Sequence, residues 1–300
     1  MSKEFQQVVW NDSLAADWQR VLEIAIQEDF NEGDLTTLAL VPDNVLGRAA
    51  LVVRQPGVIA GLSAVAMTLQ AVDNRLKCAL ECEDGQSVSA GQCLGVIEGP
   101  AAAILTAERL LLNFLGRMSG IATLTRRYVD AVAGTRAKIY DTRKTTPGWR
   151  RLEKYAVRCG GGQNHRTSLS EAVLIKDNHL AVGVLPAASV GLARQYLSEH
   201  LGPAAAAAMI VEVEVDTLEQ LAQVLPANPD MVLLDNMTPN VLRQAVAQRD
   251  AGFSHIELEA SGGIHLDSIR AIAQTGVDRI SSGALTHSAV ILDIGLDWGE

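Results

Sequence analysis

The chain has 300 residues, of which 48% are apolar and 20% are charged, and this ordinary globular composition excludes wholesale disorder. Its formal net charge of −10 is unsuited to duplex nucleic acid, which usually binds a basic face, so no nucleic-acid partner is expected. No stretch reaches about 18 consecutive apolar residues and Met1–Trp10 has no apolar signal-peptide core, so we expect no membrane partner and a cytoplasmic location.

The first third of the chain alternates helical and strand-like patterns. Residues 14–29 carry apolar side chains at helical spacing, and the Gly- and Asp-containing stretch 28–37 breaks that pattern. There follow, in order, strand-like segments at 48–55 and 57–61, a short helix at 62–72 and two strands around the turn signals Asp84-Gly85 and Ala90-Gly91. This portion predicts a small α+β domain.

A long helical pattern follows this domain. It runs from Ile104 to Val132, with Gly116 and Gly120 as candidate interruptions because glycine is a poor helix former. Gly134 is well placed for a C-cap.

From residue 137 the pattern changes to short apolar runs that each end in polar or glycine residues. The six runs are AKIY (137–140), AVLI (172–175), MIVEVEV (209–215), MVLL (231–234), HIELEA (255–260) and DRIS (278–281). Because helical patterns separate most of them, we predict parallel strands with crossover helices. The polar strand ends predict a barrel whose site lies on its C-terminal face. The stretch 200–209 is interpreted as a loop or a tolerated insertion before a strand.

The third run places two glutamates on one face. Side chains alternate along a strand, so Glu212 and Glu214 share one face while the valines share the other. In a barrel these carboxylates would point inward, where an unpaired charge is costly, so they need basic partners or a metal ion. The alternative is an edge strand with one solvated face.

A basic island stands out in this acidic chain between residues 143 and 176. Only Glu153 and Glu171 oppose its basic side chains, so it indicates either an anionic ligand or a solvated helix face. The basic residues are Arg143, Lys144, Arg150, Arg151, Lys154, Arg158, Arg166 and Lys176.

Eight segments, in order, resemble the signature regions of the quinolinate phosphoribosyltransferase family. The longest is DTRKTTPGWRRLEKYAVRCGGGQNHR (141–166), and LIKDNH (174–179) follows it. The others are EDFNEGDLTT (28–37), AERLLLNFLGRMSGIAT (107–123), VEVEV (211–215), LLDN (233–236), EASGGI (259–264) and SSGALTHSA (281–289). The resemblance covers nearly the whole chain, with no departure at a motif position.

This resemblance implies an enzyme that converts quinolinate and phosphoribosyl pyrophosphate into nicotinate mononucleotide, pyrophosphate and carbon dioxide, with Mg²⁺. It implies an α/β fold with an N-terminal α/β sandwich-like domain (1–115, rejoined by the tail 286–300). An incomplete α/β barrel of six or seven strands (116–285) would follow. The family also works as a homodimer, or a multiple of dimers, in which each site borrows groups from the neighbouring subunit.

The resemblance assigns the pyridine dicarboxylate to a set of cations. Arg143, Arg166 and Lys176 would hold the two carboxylates, since Arg suits bidentate carboxylate contacts. His165 would lie beside them, and Arg109 matches the arginine that the family contributes across the dimer interface. Thr142 is also assigned to substrate binding, while Arg150, Arg151, Lys154 and Arg158 are interpreted as rim or interface residues.

The phosphate groups are assigned to glycine-rich turns and a lysine. Backbone N–H groups in such turns suit phosphate oxygens, and Lys144 would reach phosphate as a point charge. The turns are Ser261-Gly262-Gly263 and Ser282-Gly283-Ala284.

Glu214 and Asp235 form the acidic pair that the resemblance implies. They would either bind Mg²⁺, which prefers oxygen ligands and bridges carboxylates to substrate phosphates, or stabilise the positive charge that develops on the ribose. With Lys144 they are the expected catalytic residues.

Three other functions are weighed. A type II phosphoribosyltransferase acting on nicotinate would bind one carboxylate rather than two. A relative with an altered substrate is a second alternative. A non-catalytic phosphosugar-binding barrel is the third, and the presence of both lysines and both acids argues against it.

Overall fold

The computed structural model describes residues 3–30, 32–180 and 185–299. The chain forms two compact units. The α+β unit comprises residues 8–126, 145–161 and 285–300, and the barrel unit comprises residues 1–7, 127–144 and 162–284. The chain therefore passes between the two units at more points than the two predicted boundaries, one after residue 115 and one after residue 285. No helix in the described ranges is long and apolar enough to cross a membrane.

Twelve strands lie in the described part of the chain. They are β1 (Leu46–Val53), β2 (Gly57–Val58), β3 (Lys77–Leu80), β4 (Ser87–Val88), β5 (Cys93–Pro100), β6 (Lys138–Tyr140), β7 (Val173–Ile175), β8 (Val211–Val215), β9 (Met231–Asp235), β10 (Glu257–Ser261), β11 (Arg279–Ser281) and β12 (Ile294–Trp298).

The α-helices of the same described residues alternate with these strands. They are α1 (Asp12–Phe30), α2 (Leu35–Leu40), α3 (Val65–Val72), α4 (Ala101–Ala131), α5 (Arg150–Cys159), α6 (Asp177–Leu180), α7 (Pro186–Leu201), α8 (Pro203–Ala208), α9 (Leu218–Val224), α10 (Pro239–Asp250), α11 (Leu266–Ala273) and α12 (Ala284–His287).

The α+β unit is built on an antiparallel sheet of order β12-β1-β5-β3, with a separate β2-β4 ladder. The last strand of the chain pairs along β1, so the C-terminal segment completes this sheet. Alternate residues of β1 are fully buried and pack with apolar side chains of α3 and α4. This alternation is typical of a sheet with one covered face.

Helix α4 is continuous through Gly116 and Gly120, so neither candidate interruption occurs. A Cβ at Gly120 would lie 2.1 Å from the carbonyl oxygen of Val290, and one at Gly116 would lie 3.0 Å from that of Leu292. The two glycines therefore allow the segment before β12 to pass close to the helix. Their role is close packing between residues distant in sequence.

The barrel unit contains a parallel sheet of six strands in the order β6-β11-β10-β9-β8-β7. This confirms the predicted α/β fold with an incomplete barrel of six strands. Phe5, from the N-terminal segment, packs with apolar residues of the sheet and of nearby segments. These residues are Tyr140, Ala172, Ile210 and Met231.

Strand β8 lies inside the sheet between β7 and β9, and all five of its residues are buried. The alternative of an edge strand with one solvated face was therefore wrong. The loop interpretation of 200–209 was also wrong, because α8 occupies Pro203–Ala208. Proline is favoured at the first helical position and alanine is the best helix former, which explains this short helix.

Candidate active site

The polar residues predicted at the strand ends lie at one end of the barrel unit. The strands are parallel, so the residues that end them meet at the same edge. Asp141 follows β6, Lys176 follows β7, and Glu214 is the penultimate residue of β8. Asp235 ends β9, Ser261 ends β10, and Ser282 follows β11.

The ammonium group of Lys176 donates a hydrogen bond to the carboxylate of Glu214. The Glu214 side chain is only 9% exposed, whereas that of Lys176 is 41% exposed. Burial raises the pKa of Glu214, Lys176 opposes that shift, and the nearby Asp235 adds to it. Lys176 therefore lies near two carboxylates, Glu214 and Asp235, whose negative charges repel each other.

Asp235 has a similar environment at the end of the neighbouring strand. Burial raises its pKa, the charge of Asp216 adds to the shift, and Lys176 and Lys144 oppose it. The Asn236 side-chain amide donates to Asp235 at 2.6 Å. Two partly buried carboxylates served by two lysines can accept a divalent cation, because Mg²⁺ prefers oxygen ligands.

Two arginines form the cationic side of the same end. Arg166 is 5% exposed, and its guanidinium donates to the carbonyl of Ala172 at 2.9 Å. Burial lowers the pKa of Arg166, the charge of Arg143 lowers it further, and Glu212 and Glu171 oppose the shift. Two guanidinium groups close enough to repel each other make a site suited to an anion of more than one charge.

Asp141 is a residue that the sequence interpretation did not single out. It is fully buried, accepts the backbone N–H of His165 at 2.9 Å and accepts the Asn164 side-chain amide at 2.7 Å. It therefore ties the end of β6 to the segment that carries Arg166. The sequence feature that could have indicated Asp141 is its position as the first residue of the longest motif, directly before Thr142.

His165 is buried, and both of its ring nitrogens have protein partners. Nδ1 accepts the backbone N–H of Arg166 at 2.9 Å, and Nε2 lies 3.1 Å from Oε2 of Glu212. Phe5 stacks on the ring with centroids 4.2 Å apart. His165 is therefore held inside the barrel unit by contacts with the Arg166 backbone, Glu212 and Phe5.

The turn after β10 adopts left-handed backbone conformations that favour glycine. Gly262 has φ +84° and Gly263 has φ +60°, and Asn236 across from them has φ 54°. A Cβ at Gly262 would lie 2.3 Å from Oδ1 of Asn236. Asn236, a second residue that the sequence interpretation passed over, also donates its backbone N–H to the carbonyl of Ser261 at 2.9 Å.

The second glycine turn is held by Ser282. Its hydroxyl donates to the carbonyl of Ile264 at 3.3 Å and accepts the backbone N–H of Ala284 at 3.3 Å. Its own backbone N–H donates to the carbonyl of Tyr140 at 3.0 Å. Gly283, between these contacts, is half-buried.

The remaining predicted residues differ in exposure. Lys144 is exposed after β6, and its backbone N–H donates to the Thr142 hydroxyl at 3.1 Å. Arg109 is exposed on α4 of the α+β unit. Among the residues interpreted as rim or interface residues, Lys154 is 0% exposed, so that interpretation was wrong for it. Arg151 instead pairs with Asp17 of α1.

A cavity of about 460 Å³ lies at the opposite, N-terminal end of the barrel strands. Its basic side chains form ion pairs with its carboxylates: Lys3 and Arg194 with Asp230, and Arg136 and Arg249 with Asp278. These pairs join the ends of strands and helices to one another, and the charges of the cavity largely cancel.

Family models of the quinolinate phosphoribosyl transferase N-terminal and C-terminal domains match residues 34–119 and 121–297. The chain is 46% identical over 276 residues to a nicotinate-nucleotide pyrophosphorylase [carboxylating] of Mycobacterium leprae, covering 91% of this chain and 94% of that protein. It is 39% identical over 279 residues to a probable enzyme of the same name from Bacillus subtilis, covering 93% and 92%.

A solved structure of a nicotinate-nucleotide pyrophosphorylase from Francisella tularensis is similar with a TM-score of 0.89 and 34% identity, covering 99% of this chain and 100% of that one. Human nicotinic acid phosphoribosyltransferase is similar in fold alone, with a TM-score of 0.56 and 14% identity over 97% of this chain and 74% of that one.

Proposed function

The chain belongs to the quinolinate phosphoribosyltransferase family, and we propose that it transfers the phosphoribosyl group of phosphoribosyl pyrophosphate to quinolinate. The products are nicotinate mononucleotide, pyrophosphate and carbon dioxide, which is the step that leads from quinolinate toward NAD. One observation carries this proposal. The neighbouring guanidinium groups of Arg143 and Arg166 lie at the same end of the barrel unit as the acidic pair Glu214 and Asp235.

The cationic side suits the dicarboxylate. Arg143, Arg166 and Lys176 hold its two carboxylate groups, and a charge-assisted hydrogen bond contributes about 1.5–3 kcal/mol. The repulsion between the two guanidinium groups is relieved when a dianion binds between them. His165 supports this side from beneath, and Arg109 of the neighbouring subunit completes it. A ligand with one carboxylate would leave part of this charge unmatched.

The glycine turns and Lys144 bind the phosphate groups. Gly262, Gly263 and Gly283 allow backbone N–H groups to approach phosphate oxygens closely. Ser261 and Ser282 hold the two turns, and Thr142 and Ala284 flank the same ligand. Phosphate sites in barrel enzymes commonly lie after the last strands, which is where these turns are.

Glu214 and Asp235 act where the bond to pyrophosphate breaks. Their oxygen atoms suit Mg²⁺, and the pKa of each is raised in part by other carboxyl groups, which a cation would offset. They would hold Mg²⁺ together with phosphoribosyl pyrophosphate, and the ion would supply positive charge that offsets the charge of the leaving group. The carboxylates stabilise the positive charge that develops on C1 of the ribose.

The reaction then needs positioning and no covalent enzyme intermediate. The C1–oxygen bond to pyrophosphate breaks as the pyridine nitrogen forms the C1–nitrogen bond. The ring nitrogen now carries a positive charge, which stabilises the electron pair left on the adjacent carbon when carbon dioxide departs. A proton then replaces the lost carboxylate.

We also propose that the enzyme is a homodimer, or a multiple of dimers, in which Arg109 reaches the site of the partner subunit. The exposure of Arg109 on α4 is consistent with this role. Mixing an Arg109→Ala variant with a Lys144→Ala variant should restore part of the activity, because one site of a mixed dimer then has both residues.

A cytoplasmic location stays a prediction that cell fractionation would test.

The proposed function is tested by following mononucleotide formation from phosphoribosyl pyrophosphate with quinolinate or nicotinate as acceptor, with and without Mg²⁺. We expect turnover with quinolinate and Mg²⁺, and little with nicotinate or with a chelator. Preferential use of nicotinate would favour the monocarboxylate alternative.

A further inference from the structure

A buried cluster of two carboxyl groups and one imidazole lies inside the barrel unit, and its two carboxyl groups have no part in the chemistry described above. Its members are His165, Glu212 and Glu259, which are 5%, 1% and 0% exposed. Nε2 of His165 is 3.1 Å from Oε2 of Glu212 and 3.7 Å from Oε1 of Glu259. The cluster supports the segment that carries Arg166.

The hydrogen bonds of His165 indicate which ring nitrogen carries its proton. The backbone N–H of Arg166 donates to Nδ1, so Nδ1 is an acceptor. Nε2 therefore carries the proton and donates a hydrogen bond to Glu212. The ring is thus the neutral Nε2–H tautomer, held between the backbone of Arg166 and one carboxylate.

Glu259 is the second carboxyl group beside this ring. Among the described residues, neither of its oxygens has a hydrogen bond of good geometry, and Oε1 of Glu212 also lacks one. An ionised carboxylate in such a position is strongly unfavourable unless it is paired and hydrogen-bonded. A protonated carboxyl group avoids that cost.

The charged and polar groups around Glu259 come from several elements. They are Glu212 of β8, His165 of the segment before β7, and Arg279 and Ser281 of β11. Burial raises the pKa of Glu259, the charge of Glu212 adds to it, and His165, Ser281 and Arg279 oppose the shift less strongly. Glu259 therefore keeps its proton at pH values where an exposed glutamate has lost it.

We propose that Glu259 is a positioning residue for the dicarboxylate: as a neutral acid it leaves Glu212 the sole carboxylate acceptor for His165, and the ring then holds the backbone of Arg166. An ionised Glu259 would compete for the Nε2–H proton and draw the ring away from Arg166. It would also add a negative charge beneath the cations. The inference rests on the proposed function, because it takes quinolinate as the ligand of Arg166.

The test compares the wild-type enzyme with a Glu259→Gln variant. Glutamine keeps the shape of a neutral glutamic acid and cannot ionise. We expect the quinolinate KM of the wild type to rise about five- to tenfold between pH 6.5 and pH 9, as a proton-linked binding site requires. The variant should match the wild type within about twofold at pH 6.5 and stay flat to pH 9. The KM for phosphoribosyl pyrophosphate should have the same pH dependence in the wild type and in Glu259→Gln.

Glu219→Gln is the matched control. Glu219 is exposed on α9, so its replacement removes one negative charge without touching the cluster, and the wild-type pH dependence should remain. A quinolinate KM with the same pH dependence in Glu259→Gln as in the wild type would overturn the proposal. The proposal would also be overturned if, between pH 6.5 and pH 9, the KM of the wild type for phosphoribosyl pyrophosphate rose as much as its KM for quinolinate.

A second readout needs no activity. The chain has six histidines, so the ¹⁵N imidazole signals of His165 can be assigned by their loss in a His165→Asn variant. We expect the Nε2–H tautomer at pH 6.5, with a shift that titrates at higher pH in the wild type and not in Glu259→Gln. An imidazolium or Nδ1–H form, or one tightly bound metal ion per chain by elemental analysis, would overturn the proposal. Absence of any turnover with quinolinate would instead contradict the proposed function.

Discussion

The ammonium group of Lys176 donates a hydrogen bond to the carboxylate of Glu214, which joins the end of β7 to the penultimate residue of β8. In the proposed function these residues serve different substrates. Lys176 holds the dicarboxylate, and Glu214 acts on the ribose and the cation bound with pyrophosphate. Their contact therefore makes the two substrate sites continuous.

Replacing Lys176 with Met should weaken quinolinate binding more than phosphoribosyl pyrophosphate binding. The loss of a charge-assisted hydrogen bond of about 1.5–3 kcal/mol corresponds to a rise of about 10- to 100-fold in the quinolinate KM. Steady-state kinetics with each substrate varied in turn provides the measurement. An equal rise in both KM values would contradict the division of roles.

The same variant should change the pH dependence of turnover. Lys176 lowers the pKa of Glu214 against the larger effect of burial, so removal of the lysine raises that pKa further. If catalysis needs the ionised carboxylate, activity is lost as pH falls through this pKa. The acid limb of the kcat profile should therefore move to higher pH in Lys176→Met. A shift to lower pH would contradict the pairing.

Lys144 is exposed, so its replacement by Ala should spare the fold while reducing turnover severely. We expect kcat/KM for phosphoribosyl pyrophosphate to fall about a hundredfold or more, as when a group that stabilises transition-state charge is removed. The unfolding temperature should change by less than about 2 °C. Lys77→Ala, an exposed lysine of the α+β unit, is the control. Near-normal turnover in Lys144→Ala would contradict its assignment.

Gly262 and Gly263 make a matched pair for testing the turn after β10. An added Cβ at Gly262 would meet Asn236 at 2.3 Å, whereas one at Gly263 has its nearest contact at 3.9 Å. Both have positive φ, which costs a side-chain-bearing residue about 1–2 kcal/mol. Gly262→Ala should therefore lower stability more and raise the phosphoribosyl pyrophosphate KM more. Thermal unfolding and kinetics of both variants would check this, and equal effects would contradict the close approach.

Glu259 should also affect stability in a pH-dependent way. Burial and the charge of Glu212 raise its folded-state pKa above the ordinary value of 4.5, so between these two values the folded chain holds a proton that the unfolded chain loses. Stability therefore falls as pH rises through that window. The unfolding temperature of Glu259→Gln relative to the wild type should be higher at pH 8 than at pH 5 by about 2–4 °C. The same difference at both pH values would contradict a buried neutral acid.

The six strand runs and their polar ends could be predicted from the sequence, because parallel strands bring their C-terminal residues to one edge wherever the connecting helices lie. Glu212 and Glu214 were placed inward by alternation alone, and both are buried. The sequence pattern left Gly116 and Gly120 as candidate interruptions of the helix, because it does not show their contact with residues 290–292, far along the chain.

The residues that support the site could not be predicted, because they too act through contacts with residues that are distant in the sequence. Asp141 acts through hydrogen bonds to residues more than twenty positions away, and Asn236 acts through the turn after β10. Lys154, counted as part of a basic surface, is buried in the fold. Charge patterns in a sequence do not reveal which face of a helix is covered.

The most direct test of the central claim is the release of carbon dioxide from quinolinate labelled in its 2-carboxylate, measured together with pyrophosphate and nicotinate mononucleotide. Decarboxylation coupled to phosphoribosyl transfer predicts one carbon dioxide and one pyrophosphate for each mononucleotide formed. Pyrophosphate release with retention of the label, or tight quinolinate binding without any turnover, would contradict it.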